Sequence, residues 1–118
     1  MISFRTKKTQ AKYDKYLKEK FDFRCICCLQ DMKIAEYKHW VLLKNKFPYD
    51  AVYKNHNMLV VKRHIKTLSE QTPEEQAEFN KIVDEKKDEA KHQLLMLNAE
   101  VRRTIPEHLH FHLVDYLT

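Results

Sequence analysis

Glycine is absent from the 118 residues, against an average usage of about 7%. A phosphate-binding P-loop and a dinucleotide-binding Gly-x-Gly-x-x-Gly turn both need glycine where the backbone approaches a phosphate, so these two nucleotide-binding classes are excluded. Cysteine is scarce: the chain has three, all within Cys25-Ile26-Cys27-Cys28. An odd number packed this closely does not make a disulfide framework, and it points to reduced thiols in a reducing compartment. No continuous apolar stretch approaches the roughly 18 to 20 residues of a membrane span. The opening Met1-Ile2-Ser3-Phe4-Arg5-Thr6-Lys7-Lys8 is basic without an apolar segment behind it, which is not the pattern of a secretory leader. A soluble, cytoplasmic protein without a membrane partner is the expectation.

With 43% apolar and 33% charged residues, the chain has the composition of an ordinary globular domain. Its length suits one domain with one core. The simplest organisation is a single domain over 1–118, with 1–20 as a basic helical extension. The net charge is +5, and seven of the 22 basic residues against two of the 17 acidic ones fall within the first 20 positions. Such a segment suits phosphate-bearing partners, and it equally suits a solvated helix face.

Periodicity gives the elements. Residues 7–20 set Tyr13, Tyr16, Leu17 and Phe21 at helical spacing among lysines, predicting a helix packed by its aromatic side. Lys38 to Lys44 reads as a strand, and Asn45-Lys46-Phe47-Pro48-Tyr49-Asp50 as the turn that follows. Lys54-Asn55-His56-Asn57 offers residues that tolerate left-handed backbone, and Met58 to Val61 reads as a second strand. Thr72-Pro73-Glu74-Glu75 is a capping box with proline in the first turn, so 73–91 is expected to be helical, with Phe79, Ile82 and Val83 facing inward. Leu94 to Leu97 gives a third strand and Glu107 to Leu117 a fourth. The order strand, strand, helix, strand, strand is an α+β pattern with a mainly antiparallel sheet, a long helix after the second strand and an N-terminal helix.

The fourth strand carries His108-Leu109-His110-Phe111-His112-Leu113-Val114. Side chains alternate faces along a strand, which sends the three histidines to one side and the apolar residues to the other. Imidazole titrates nearest neutrality and is also a nucleophile, so a row of three suits attack on phosphorus by one ring while a neighbour orients it. A merely polar strand face is the plainer alternative, but exposed strands vary their polar residues more than this.

This run resembles the signature of the histidine-triad superfamily of nucleotidyl hydrolases and transferases, His-apolar-His-apolar-His-apolar-apolar. Met58-Leu59-Val60-Val61-Lys62-Arg63-His64-Ile65, with Leu68 and the helix start at Thr72, is similar to that family's strand, basic turn and helix; His56 sits where such proteins often have a histidine. Asn45-Lys46-Phe47-Pro48-Tyr49 is similar to its Asn-Arg-x-Pro segment, and the cysteine cluster resembles its opening Cys-x-x-Cys. The matches cover roughly 23–117 in order. The resemblance implies that His110 attacks the α-phosphate of a small nucleotide, a dinucleoside polyphosphate or nucleoside phosphoramidate, to form a nucleotidyl-histidine intermediate. His108 and His112 would orient it and bind phosphate oxygens, with His64 as the family's fourth histidine.

Asn45 is the expected ribose contact, or else a turn residue, and Asn98 a further one. The family commonly has a glycine-rich loop and a Ser or Thr that supports the leaving group before the first histidine; here the stretch Ala99 to Pro106 has no glycine, Thr104 is the substitute for that hydroxyl, and Arg102 or Arg103 is expected to bind phosphate. The resemblance implies a structural zinc on Cys25, Cys28, His64 and His108, in keeping with two thiolates at Cys-x-x-Cys spacing, while buried apolar cysteines are the alternative. No organic cofactor is expected. A homodimer is expected as in the family, and nucleic acid is not expected as a partner. A nucleotide-binding protein without turnover, or a zinc-stabilised interaction protein, is the competing reading of the same residues.

Overall fold

The computed structural model describes residues 4–19, 32–51, 53–88, 94–96 and 108–116. Its elements are helix α1 (Lys7–Glu19), strands β1 (Lys33–Glu36), β2 (Trp40–Lys44) and β3 (Tyr53–Val61), helix α2 (Pro73–Asp88), and strands β4 (Leu94–Met96) and β5 (His110–Tyr116), with a short 3-10 turn at Leu68–Glu70. The five strands form one sheet in the order β1-β2-β3-β5-β4, and every pairing is antiparallel. The expected α+β architecture is present, with one strand more than periodicity gave.

β1 was missed because Lys-Ile-Ala-Glu is short and polar, and its outer residues stay in solvent. β3 is longer than its apolar half. Residues 54–57 were expected to turn and instead extend the strand, because the antiparallel ladder against β5 continues through them. The positive φ among described residues is at Met32, not in this stretch.

α2 begins as its sequence requires. Glu75 N–H donates to Thr72 Oγ1 at 3.1 Å, and Thr72 N–H donates to Glu75 Oε1 at 2.8 Å, the reciprocal pairing of a capping box. Phe79 and Ile82 are buried and Val83 is partly buried on the core. The strand residues opposite them are Trp40, Leu42, Leu59, Val61, Phe111 and Leu113, which share one sheet face by their period of two. Trp40 is fully buried and donates its indole N–H to the Glu75 carbonyl at 2.8 Å. Truncating such a residue costs about 3–5 kcal/mol, so Trp40 anchors helix to sheet.

β5 lies between β3 and β4, and residues 108–115 are buried on both faces. The face away from α2 carries Val41, Leu43, Met58 and Val60 beside His56, His110 and His112. The fold therefore places imidazoles in an interior, where each polar ring needs a partner.

α1 packs through aromatics as expected. Tyr13 stacks on Phe47 with ring centroids 5.1 Å apart, and Tyr16 lies 5.1 Å from the same ring. Leu17, expected on that side, is exposed. Asp50 accepts from Thr6 N–H at 2.9 Å and from Thr9 Oγ1 at 2.5 Å, capping the start of α1 from a distant turn. Among the described residues no helix is long and apolar enough to cross a membrane.

Candidate functional site

His108, His110 and His112 are 0–2% exposed, which sets aside a solvated polar strand face. They do not form one row, however. His108 precedes β5 and turns to the end of β3, where its Nε2 lies 2.6 Å from the Val61 carbonyl and its Nδ1 3.2 Å from Nδ1 of His64. His64 is brought there because Leu109 N–H donates to the Ile65 carbonyl at 2.7 Å, tying the segment after β3 to the start of β5.

His110 Nδ1 lies 2.9 Å from the carbonyl of His108. A carbonyl only accepts, so Nδ1 carries the proton and the lone pair is on Nε2. The backbone carbonyl two residues earlier thus fixes the His110 tautomer, with the lone pair on Nε2.

His112 has a different partner. Its Nδ1 lies 2.6 Å from His56 Nε2, and His56 Nδ1 accepts the backbone N–H of Tyr49 at 3.0 Å. The chain of donors has one direction: Tyr49 N–H to His56 Nδ1, His56 Nε2–H to His112 Nδ1, and the remaining proton of neutral His112 on its Nε2. Burial is the largest cause that pushes His112 down to about 2 and His56 down to about 3, with the neighbouring imidazoles and the Arg5 guanidinium adding to it. Both rings are neutral at pH 7, as the relay requires. The His110 and His112 rings meet edge to face at 5.1 Å.

His64 lies against His108, with which it was named for zinc, and His56, given no role from the sequence, lies against His112. His64 belongs with His108, on the other side of His110. The missed signal was parity: His56, Met58 and Val60 alternate onto the face that His112 and His110 occupy. His56 pairs with Val114 and so reaches His112 diagonally.

Asn45 is buried and holds the turn after β2, with its Oδ1 accepting Phe47 N–H at 2.8 Å and its Nδ2–H directed at His56 Nδ1, 3.4 Å away, the nitrogen that also accepts Tyr49 N–H. It carries the turn role, and it braces the relay histidine. Tyr49 is buried, its ring 4.4 Å from His56 and 5.3 Å from His112. Asn98, Thr104, Arg103, Cys25, Cys27 and Cys28 lie outside the described residues. Among the described residues no group of three or more His, Cys, Asp or Glu side chains is placed to hold a metal.

No protein-family model matches the chain, and no curated protein does. Solved structures do. A histidine-triad (HIT) family hydrolase from Legionella pneumophila Philadelphia 1 superimposes with a TM-score of 0.61 at 17% identity, over 80% of this chain and 95% of that one. A histidine triad protein from Clostridium difficile gives 0.54 at 21%, over 84% and 95%. A histidine triad nucleotide-binding protein from Candida albicans gives 0.57 at 17%, over 76% and 73%. The fold is the histidine-triad fold. Within it, this chain sets the middle histidine of its triad between two imidazole pairs, His56–His112 and His64–His108.

Proposed function

We propose that the protein is a nucleotide hydrolase or nucleotidyltransferase acting at the α-phosphate of a small nucleotide, of dinucleoside polyphosphate or nucleoside phosphoramidate type. The observation that carries this reading is the His110 Nδ1 contact with the His108 carbonyl, which leaves the nucleophilic lone pair on Nε2. Nε2 attacks phosphorus, the bond from phosphorus to the leaving group breaks, and a nucleotidyl-imidazole forms. Water or another acceptor then displaces His110 and regenerates the neutral ring. His112, with its proton on Nε2, donates to a phosphate oxygen as negative charge builds there. The hydrolases of the same fold support the class of chemistry.

A structural zinc fits the other imidazole pair. Ligand nitrogens on a tetrahedral zinc at about 2.0–2.1 Å stand about 3.3 Å apart, and the two Nδ1 atoms are separated by 3.2 Å. His108 also gives its Nε2–H to a backbone carbonyl, the usual orienting bond of a ligating histidine. Cys25 and Cys28 would complete the set. A zinc held there would tie the segment before β5 to the segment after β3. A homodimer is part of the same proposal.

One observation favours a second reading, a nucleotide-binding or zinc-stabilised protein of the same fold without turnover. His110 is 2% exposed, so its face must open before phosphorus can reach it. Trapping separates the two. The protein is incubated with α-labelled diadenosine polyphosphate or adenosine phosphoramidate, quenched, and mapped for acid-labile label. Label on wild type and none on His110→Ala is expected; nucleotide binding with no label across purine and pyrimidine donors selects the second reading.

A further inference from the structure

The relay that fixes His112 rests on the turn after β2, and that turn is pinned from the N-terminal segment. Arg5 Nε–H donates to the Phe47 carbonyl at 2.7 Å. Its guanidinium lies 4.4 Å from the centroid of Tyr13 and 4.9 Å from that of Tyr49. Phe47 N–H in turn donates to Asn45 Oδ1, and Tyr49 N–H to His56 Nδ1. Phe4 adds an edge-on contact with Tyr49 at 5.5 Å, and its carbonyl accepts Ala51 N–H at 2.9 Å.

The geometry points to Arg5 as a positioning residue: by clamping the 45–49 turn and the ring of Tyr49, it holds His56, and through His56 the tautomer and orientation of His112. The inference rests on the proposed chemistry for its effect on rate, but not for its effect on structure. The segment that sequence reading set apart as a basic extension is then a working part of the site, acting without touching substrate. A guanidinium suits the place because one planar group both donates to a carbonyl in a fixed direction and lies flat on aromatic rings. A lysine ammonium does neither. Tyr13 and Tyr16 reach the Phe47 ring while Arg5 holds its carbonyl, so the two kinds of contact fix different parts of that residue.

The test compares wild type with Arg5→Met and Arg5→Lys. Asp50 still caps α1 and the Tyr13–Phe47 stack remains in both variants, so the fold is expected to persist, checked by circular dichroism and a melting curve. Histidine ring nitrogens are then read by 15N correlation spectroscopy on labelled protein. In wild type, His56 and His112 should both show the Nε2–H tautomer, and in both variants His112 should show a mixture. Turnover of adenosine phosphoramidate should fall in kcat by about tenfold or more, with KM within about twofold. Unchanged His112 resonances in a folded Arg5→Met protein overturn the inference. So does full recovery by Arg5→Lys, which would reduce Arg5 to its charge. If wild type itself turns over no nucleotide, the proposed chemistry fails, and the spectra alone still decide the role of Arg5.

Discussion

His56 Nε2 meets His112 Nδ1 at 2.6 Å, across 56 positions of sequence. The contact exists because β3 and β5 are antiparallel neighbours with His56 opposite Val114. Two buried imidazoles this close hold a single shared proton between them, and Tyr49 N–H decides which ring supplies it. The ring that meets the proposed nucleophile edge to face is thereby oriented from a turn on another part of the chain.

His56→Phe keeps an aromatic ring in the space and removes the donor to His112. Turnover of a nucleoside phosphoramidate should drop by about a hundredfold, and His56→Gln, whose amide can still donate, should recover part of it. Steady-state kinetics on both variants is the check. Wild-type kcat in His56→Phe would remove this residue from the site.

Acid should unfold the protein more readily than its carboxylates alone explain. The folded chain keeps His56 neutral to about pH 3 and His112 to about pH 2, chiefly through burial. Unfolded, both take up protons near pH 6.5. The unfolded state therefore binds more protons in between, and stability falls as pH drops below about 6.5 while staying flat in these groups above it. The slope should approach about two protons, about 2.7 kcal/mol per pH unit. Urea denaturation from pH 5 to 8 measures it, and His56→Gln should lower the slope by about one proton.

The strand carrying His110 was legible in the sequence because its alternation is strict and its residue types are unusual. The start of α2 was legible because Thr72 and Glu75 satisfy each other locally. What was not legible depended on register. Nothing within Tyr53–Val61 says which strand will lie beside it, so His56 was matched to a family histidine position without a partner or a role. His64 was grouped with the triad by resemblance, whereas the bend at His108 divides the imidazoles into two pairs. β1 escaped because four half-polar residues carry no period, and its strand character comes from pairing with β2.

Arg63 and Glu75 form a fork across the start of α2, with Nε to Oε2 at 2.9 Å and Nη2 to Oε1 at 2.7 Å. Arg63 is half exposed while the Glu75 side chain is 2% exposed. The guanidinium is the leading cause that holds Glu75 down to about 2. Arg63→Met leaves a buried carboxylate with only the Thr72 groups, and should cost about 1–3 kcal/mol. Adding Glu75→Gln should return part of that loss, because the orphaned charge goes with it. A double-mutant cycle by chemical denaturation reads both numbers. Simple additivity would mean that the fork contributes nothing to stability.

The pair His64 and His108 decides the metal. Held 3.2 Å apart at Nδ1, the two rings either share one proton or share one cation, and the two states respond oppositely to chelation. If zinc bridges them with Cys25 and Cys28, purified protein carries about one zinc per chain, and prolonged chelator treatment lowers the melting temperature by about 10 °C or more. His64→Ala and Cys28→Ser should each lose most of the metal. His110→Ala should keep it, because His110 is not among the four expected ligands and its Nδ1–H is committed to the His108 carbonyl. Elemental analysis beside melting curves makes the measurement. Zinc retained at full stoichiometry in His64→Ala would place the metal elsewhere. Metal-free wild type with an unaltered melt would leave the His64–His108 contact as a hydrogen bond, with Nδ1–H of His64 donating to Nδ1 of His108 because the latter's proton is committed to the Val61 carbonyl.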